Sequence, residues 1–380
     1  MNIGIDSIGF TSLLSNRIVV NTDDGYPIQM VVKMNSIKIY ESTLYPLDGR
    51  VIFYDLVIIV QEYMRNNLLS SGELSVSAVF PHIIPFSERA IEPYAETVTA
   101  FVVYSSIRTS YEDDMEFLLS HFLTTRSCYT IPRGKSQMFS FFEKGGVDPS
   151  GYIDVSFMLA DGSVSTTRLT NRISMSSNNK IYNFGIDSNT LDTRVKSLYP
   201  NNSPKVLGGT IVHGSRVIDF FFTDDEPLES FGFYNAFNVW ENYHVYGVSN
   251  IKTSFTQKEA ICAGVSSYYN QSASRVVEIK TVPLSYEEAL WVNELLGSKR
   301  IIKVIPPDDE RDILISDVTS EISDSDKETI SIKFSWKYAE PFVWKIYHLI
   351  VILIMHFKIL IRYSYEFCAY LYSEIDSYGA

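Results

Sequence analysis

The sequence predicts a mainly β (α+β) protein: two β-rich domains of sandwich or barrel type with short helices, followed by an apolar C-terminal helical segment. Three observations carry this expectation. The run TISIKFSWKY at 329–338 places Ile330, Ile332, Phe334, Trp336 and Tyr338 on one side of an extended chain. Ser331, Lys333, Ser335 and Lys337 fall on the other, because side chains in a strand alternate with period two. Aromatic residues make up 14% of the chain, with 25 Tyr and 23 Phe, and such rings suit the pleated surface of a sheet. Short apolar or alternating segments recur along the chain, separated by Gly, Pro, Asn and Asp turn chemistry.

Taken in order, 18–21, 29–34 and 37–44 read as strands, divided by Asp23-Asp24-Gly25 and Asn35-Ser36. Residues 45–50 form a further turn in which Gly49 can take positive φ. The apolar run 51–60 reads as a strand passing into a short helix at 61–65. Strands follow at 73–80 and 97–104, and Pro81, Pro85 and Pro93 mark an irregular connection between them. A helix is expected over 112–123, where Met115, Leu118, Leu119 and Phe122 keep helical spacing. Strands at 137–142, 152–159 and 163–169 complete an N-terminal β-rich domain, residues 1–170. The polar, turn-rich span 171–204 reads as linker-like.

The C-terminal β-rich domain is expected over 205–340. Strands are read at 216–222 and 276–281, then the strongest local signal of the chain, PLSYEEALWVNELLG at 283–297. Ser285 and Glu288 stand at capping-box spacing, Leu284 and Ala289 at staple positions, and Gly297 at the expected left-handed stop. The predicted helix is therefore 285–296, with Trp291 on its buried side. Strands at 300–305, 313–322 and 329–338 close the domain, the last two around the polar connection 323–328. No fixed-period repeat is visible.

A formal charge of −13 opposes a role in gripping a nucleic-acid backbone, which calls for a basic face, and no Lys/Arg cluster supplies one. Cys128, Cys262 and Cys368 are odd in number and far apart, which fits neither a disulfide framework nor paired zinc ligands. The N-terminus lacks a basic region leading into a continuous apolar stretch, so no secretory signal is read there. Folding in a reducing cytoplasm is the expectation.

Catalytic signatures are not found. The chain has no G-x-G-x-x-G, no P-loop and no G-x-S-x-G elbow. Of six histidines (His82, His121, His213, His244, His348 and His356), only the last two lie close in sequence, and a lone His such as His244 reads as packed and hydrogen-bonded. Asp224-Asp225-Glu226 and the cluster 308–312 offer oxygen ligands without the alternation of an EF-hand loop, and read as solvated turns. Phe231, Phe233, Phe237, Trp336 and Tyr338 could stack on sugars, but strand patterns favour core packing. No catalytic, cofactor-binding or metal residue is assigned, no cofactor is expected, and the chain is read as not an enzyme.

Composition changes at Phe342. Residues 343–362 are nearly all apolar, yet Lys345, Lys358 and two histidines interrupt them. Three readings of 341–380 stay open: a membrane contact through 343–362, a packed or interfacial amphipathic helix, and an out-of-frame extension beyond a domain that closes near Tyr338.

The block FGFYNAFNVWE at 231–241, TVPLSYEEALW at 281–291, SDVTSEISD at 316–324 and KFSW at 333–336 resemble uncharacterised tail-associated structural proteins of phages and prophages of Bacteroides-type bacteria. FLLSHFLTTR at 117–126 and MFSFF at 138–142 add to the likeness, which covers about residues 20–338. The resemblance implies a virion structural subunit at the tail tip or baseplate, a homo-oligomer that binds other tail or baseplate proteins. It carries over no catalytic residues. The alternative is a cell-surface carbohydrate-binding or adhesin-like β module.

Overall fold

The computed structural model describes residues 1–5, 7–22, 26–80, 95–107, 114–145, 151–171, 178–262, 265–305, 309–319 and 329–340. Of the described residues 57% lie in strands and 15% in helices, which makes the protein mainly β with short helices. The apolar segment 341–380 and the proline-marked connection 81–94 lie outside the described residues. The chain divides into two compact units, one formed by Met1–Ile251 with Val277–Lys337. The described part of the other is 252–262, 265–276 and 338–340.

The first unit begins with β1 (Ile8–Phe10), β2 (Arg17–Asn21), β3 (Ile28–Met34), β4 (Ile37–Leu44), β5 (Arg50–Tyr54), α1 (Leu56–Asn66), β6 (Ser71–Val79) and β7 (Ala95–Val103). One sheet has the order β1-β7-β6-β3-β4, and β2 pairs with β5. Ile28, Met30, Val32 and Met34 are all fully buried, so β3 follows the period of two that the sequence shows. Asn35 and Ser36 turn the chain at positive φ of 48° and 67°, a conformation that short polar side chains tolerate. The run 51–60 departs from expectation. The strand stops at Tyr54, Asp55 takes φ 70°, and the helix starts at Leu56. Leu56, Val60 and Met64 are four residues apart and bury one helical stripe, which outweighs the strand preference of the β-branched run.

Next come α2 (Asp114–Ser120), β8 (Cys128–Pro132), β9 (Ser136–Glu143), β10 (Gly151–Met158), β11 (Val164–Asn171), β12 (Lys180–Asp187), α3 (Ser188–Leu198), β13 (Lys205–His213) and β14 (Arg216–Thr223). The helix expected over 112–123 is described from Asp114 and ends at Ser120; Phe122 and Leu123 are buried beyond its end. The span 171–204 is not a linker. It holds β12, which pairs with β9, and α3, whose first turn is capped by Asp187 accepting from the Thr190 N–H at 2.8 Å. The polar residues that suggested a linker include this N-cap. A boundary there is also excluded by pairing, because the sheet β11-β10-β13-β14-β8 takes strands from both sides of it. In β13, a Cβ on Gly209 would sit 2.2 Å from the Asp154 carbonyl oxygen, so only glycine lets β10 approach so closely.

The remaining elements are β15 (Glu229–Tyr234), β16 (Trp240–Val245), β17 (Gly247–Cys262), β18 (Val265–Thr281), α4 (Tyr286–Gly297), β19 (Ile301–Ile305), β20 (Asp309–Thr319) and β21 (Lys333–Tyr338). They form a seven-stranded sheet ordered β16-β15-β19-β20-β21-β18-β17. Ile330, Ile332, Phe334 and Trp336 are buried as the alternation requires, and Ser335 is buried as well. The capping box of α4 is present: Ser285 accepts from the Glu288 N–H at 3.2 Å, and Glu288 accepts from the Ser285 N–H. Gly297 is not a left-handed stop. It is the last helical residue, and the Arg65 guanidinium donates at 3.0 Å to its carbonyl, one of the last-turn carbonyls that the helix itself leaves without a partner.

Candidate functional site

The block 231–241 contributes to a buried polar cluster. Phe231 and Phe233 are buried along β15, and Gly232 between them faces the Trp240 ring, which would lie 2.0 Å from an added Cβ. The turn that follows is fixed by Asn235, whose side-chain oxygen accepts from the Phe237 N–H at 2.9 Å, while Asn238 takes φ 55°. This turn delivers Glu241 to the start of β16, opposite Phe233. Its carboxylate is only 2% exposed.

Three donors from three separate segments converge on it. Trp291 Nε1 of α4 donates to Oε2 at 2.6 Å, Tyr129 OH of β8 donates to the same oxygen at 3.3 Å, and Asn235 Nδ2 donates to Oε1 at 2.5 Å. Burial pushes the Glu241 carboxyl up to about 7, and the nearby Glu294 carboxylate pushes in the same direction. The hydrogen bonds from Asn235 and Trp291 oppose this, and they are outweighed. Glu294 is itself raised by burial, and accepts from the Ala236 N–H at 2.8 Å and from the Thr125 hydroxyl at 2.5 Å. The Arg126 guanidinium lies over the Trp291 ring at 4.9 Å and the Tyr129 ring at 5.6 Å.

A raised carboxyl beside a second carboxylate is an arrangement that can hold or release a proton near neutrality. Access decides what it does here. Two clefts flank the cluster. One, of about 350 Å³, is lined by Arg65, Tyr104, Tyr234, Asn293 and Glu294. The other, of about 460 Å³, is lined by Phe117, His121, Thr125, Arg126 and Glu287. Glu241 lines neither of them. Its oxygens are engaged by Trp291, Tyr129 and Asn235, which makes the group a buried junction of β8, β16 and α4.

A second buried cluster joins β9, β13 and β14. Glu143 lies 3.2 Å from His213 Nε2 and 3.8 Å from an Arg216 nitrogen. Arg216 also donates to the carbonyls of Leu118 and Phe142. Burial lowers the Arg216 pKa to about 10, partly offset by Glu143. Phe141 packs against both side chains, its ring 4.0 Å from that of His213 and 5.2 Å from the Arg216 guanidinium.

Of the residues singled out in the sequence, Phe231 and Trp336 meet edge to face at 5.9 Å in the core, and among the described residues the others are not gathered into one site. Phe231, Phe233, Phe237 and Trp336 are buried in the core and Tyr338 is half-buried. His244 is buried against Ser230, at 2.9 Å, and burial pushes its pKa down to about 4. His121 stacks on Phe117. Asp224 is paired with Lys205 at 2.7 Å and Arg133 at 3.2 Å, and Asp312 with Arg300 at 2.9 Å. Cys128 is a half-buried free thiol, raised by burial. Cys368, His82, His348 and His356 lie outside the described residues. Among the described residues no group of three or more His, Cys, Asp or Glu is arranged to hold a metal, and no helix is long and apolar enough to cross a membrane. Sequence reading missed Glu241, Glu294 and Glu143. The signal available for Glu241 was a carboxylate set directly after the aromatic run FGFYNAFNVW.

Comparison with protein-family models, curated proteins and solved structures found no match.

Proposed function

We propose that this chain is a structural subunit of a phage or prophage tail, at the tail tip or baseplate, acting in the virion by protein–protein assembly and not as an enzyme. Its partners are other tail or baseplate proteins and further copies of itself. The observation that carries this reading is β17. Sixteen residues long, it is the outermost strand of the seven-stranded sheet, and 248–259 are exposed without a break. A long exposed edge presents a row of backbone donors and acceptors to any strand that can pair with it, and natural proteins usually blunt or cover such edges unless they are used. The sequence resemblance supports the same reading, since its blocks 231–241, 281–291 and 333–336 supply the core around Phe231, Phe233, Trp291 and Trp336.

The glycan-binding alternative has less support. The rings that would stack on a sugar, Phe231, Phe233, Phe237 and Trp336, are buried. Purified phage particles test the proposal. Immunogold electron microscopy with an antibody against this chain should label the tail end, and the chain should co-purify with particles through a density gradient. Particles that infect normally and contain none of it by mass spectrometry would overturn the reading.

A further inference from the structure

We infer that the segment Lys252–Val276, comprising most of β17 and β18, is the element through which one copy of this chain docks on a second copy. The inference deepens the assembly reading and rests on it.

Lys252–Val276 belongs to the smaller compact unit. Along β17 the side chains of 252–259 are exposed without a break, so both faces of the strand meet solvent. Large apolar side chains are exposed on both strands: Phe255 61% and Ile261 74% on β17, Val265 68% and Tyr268 61% on β18. Phe255 and Ile261 share one face of β17, and Lys252 and Lys258 share the other. Among the described residues no layer covers this two-stranded ribbon, and an uncovered ribbon is marginally stable in water. Four large apolar groups left in solvent add to that cost, and burial against a partner would remove them from water.

Charge and size identify the occupant. Lys252–Val276 carries Lys252, Lys258 and Arg275 against the single acid Glu259, in a chain whose net charge is −13. Against this segment of formal charge +2, the rest of every other copy carries −15, so a second copy offers the opposite sign. At about 3.3 Å per residue and about 4.8 Å between strands, the ribbon is about 40 Å by 10 Å, or about 400 Å² for each face. In a two-fold pair each copy would bury one ribbon face and the patch that receives its partner's, together about the 800 Å² that each partner contributes to a stable protein–protein interface.

The test uses the full chain. Sedimentation velocity at micromolar concentration should show an oligomer that shifts toward the 43.3 kDa monomer as salt is raised. The double variant F255S/I261S should sediment as monomer with an unchanged far-UV spectrum and melting temperature, while Tyr45→Ser, at an exposed site on the other unit, should leave the oligomer intact. A photo-crosslinking amino acid at Tyr268, a replacement that keeps an aromatic ring, should yield a product of twice the chain mass. A wild-type chain that stays monomeric, or an oligomer that survives F255S/I261S and gives no crosslink from position 268, overturns the inference. If the chain is monomeric alone but the crosslink captures another tail protein, docking of a second copy fails and the assembly reading stands. Capture of nothing, together with absence from particles, sinks both.

Discussion

Trp291 on α4 donates its indole N–H to Glu241 on β16 across 2.6 Å, and this bond closes the interior between helix and sheet. The ring stands edge-on to Tyr129 at 5.3 Å and to Tyr243 at 4.9 Å, and the Arg126 guanidinium lies over it. One side chain thus fills the apolar space beneath α4 and satisfies the least exposed carboxylate of its neighbourhood.

Trp291→Ala should destabilise the protein by about 3–5 kcal/mol through the cavity it leaves. Trp291→Phe should keep much of the packing and lose the donor, at about 1–3 kcal/mol for a buried acceptor deprived of its partner. Denaturant unfolding monitored by circular dichroism separates the two. Superimposable curves for wild type and Trp291→Ala would contradict the burial of this ring.

Glu241 makes stability depend on pH in a stated direction. Its folded pKa, raised from the ordinary 4.5 to about 7, means that the folded state holds a proton the unfolded state has released. Its contribution is therefore fully present below about 4.5 and is lost as pH rises toward 7, a change on the order of 3 kcal/mol. Glu294 is raised as well and acts in the same sense, whereas His244, lowered to about 4, acts in the opposite one. The difference between wild type and Glu241→Gln isolates the group. Wild type should lose stability relative to the variant between pH 5 and 8, and parallel profiles would show that Glu241 does not titrate there.

Much of the fold was legible because it is written locally. The capping box at Ser285 and Glu288 needs only residues three apart, and the alternation of Ile330, Ile332, Phe334 and Trp336 needs only one strand. What was not legible depends on distant partners. The residues of 171–204 serve as β12 and as the capped start of α3, and Asp187 looks the same in a linker as at an N-cap. Gly297 suggested a left-handed stop, but Arg65, 232 positions earlier, binds its carbonyl instead. The run 51–60 is β-branched, and only packing of Leu56, Val60 and Met64 makes it helical. The Glu241 cluster was hidden for the same reason, since Tyr129 and Trp291 come from segments that reach it only in the folded chain.

The Glu143 cluster should behave as a buried ion group. Glu143→Ala leaves Arg216 and His213 in the interior without their carboxylate, and should cost about 3–5 kcal/mol. A loss below about 1 kcal/mol in a urea titration would mean that Arg216 is sufficiently served by the carbonyls of Leu118 and Phe142.

Ser285→Ala removes the acceptor of the Glu288 N–H at the start of α4, and a loss of about 1 kcal/mol is expected. Ser285→Asp should restore most of it, because aspartate caps as well as serine. Equal losses for both variants would locate the contribution outside the cap.

The central claim, that this chain works by assembly, is tested most directly by mass photometry of the full-length protein at micromolar concentration, alone and mixed with the products of the neighbouring genes. The account predicts species heavier than the 43.3 kDa chain, either discrete multiples of it or complexes with a neighbouring tail protein. A single species at 43.3 kDa in every mixture would contradict it.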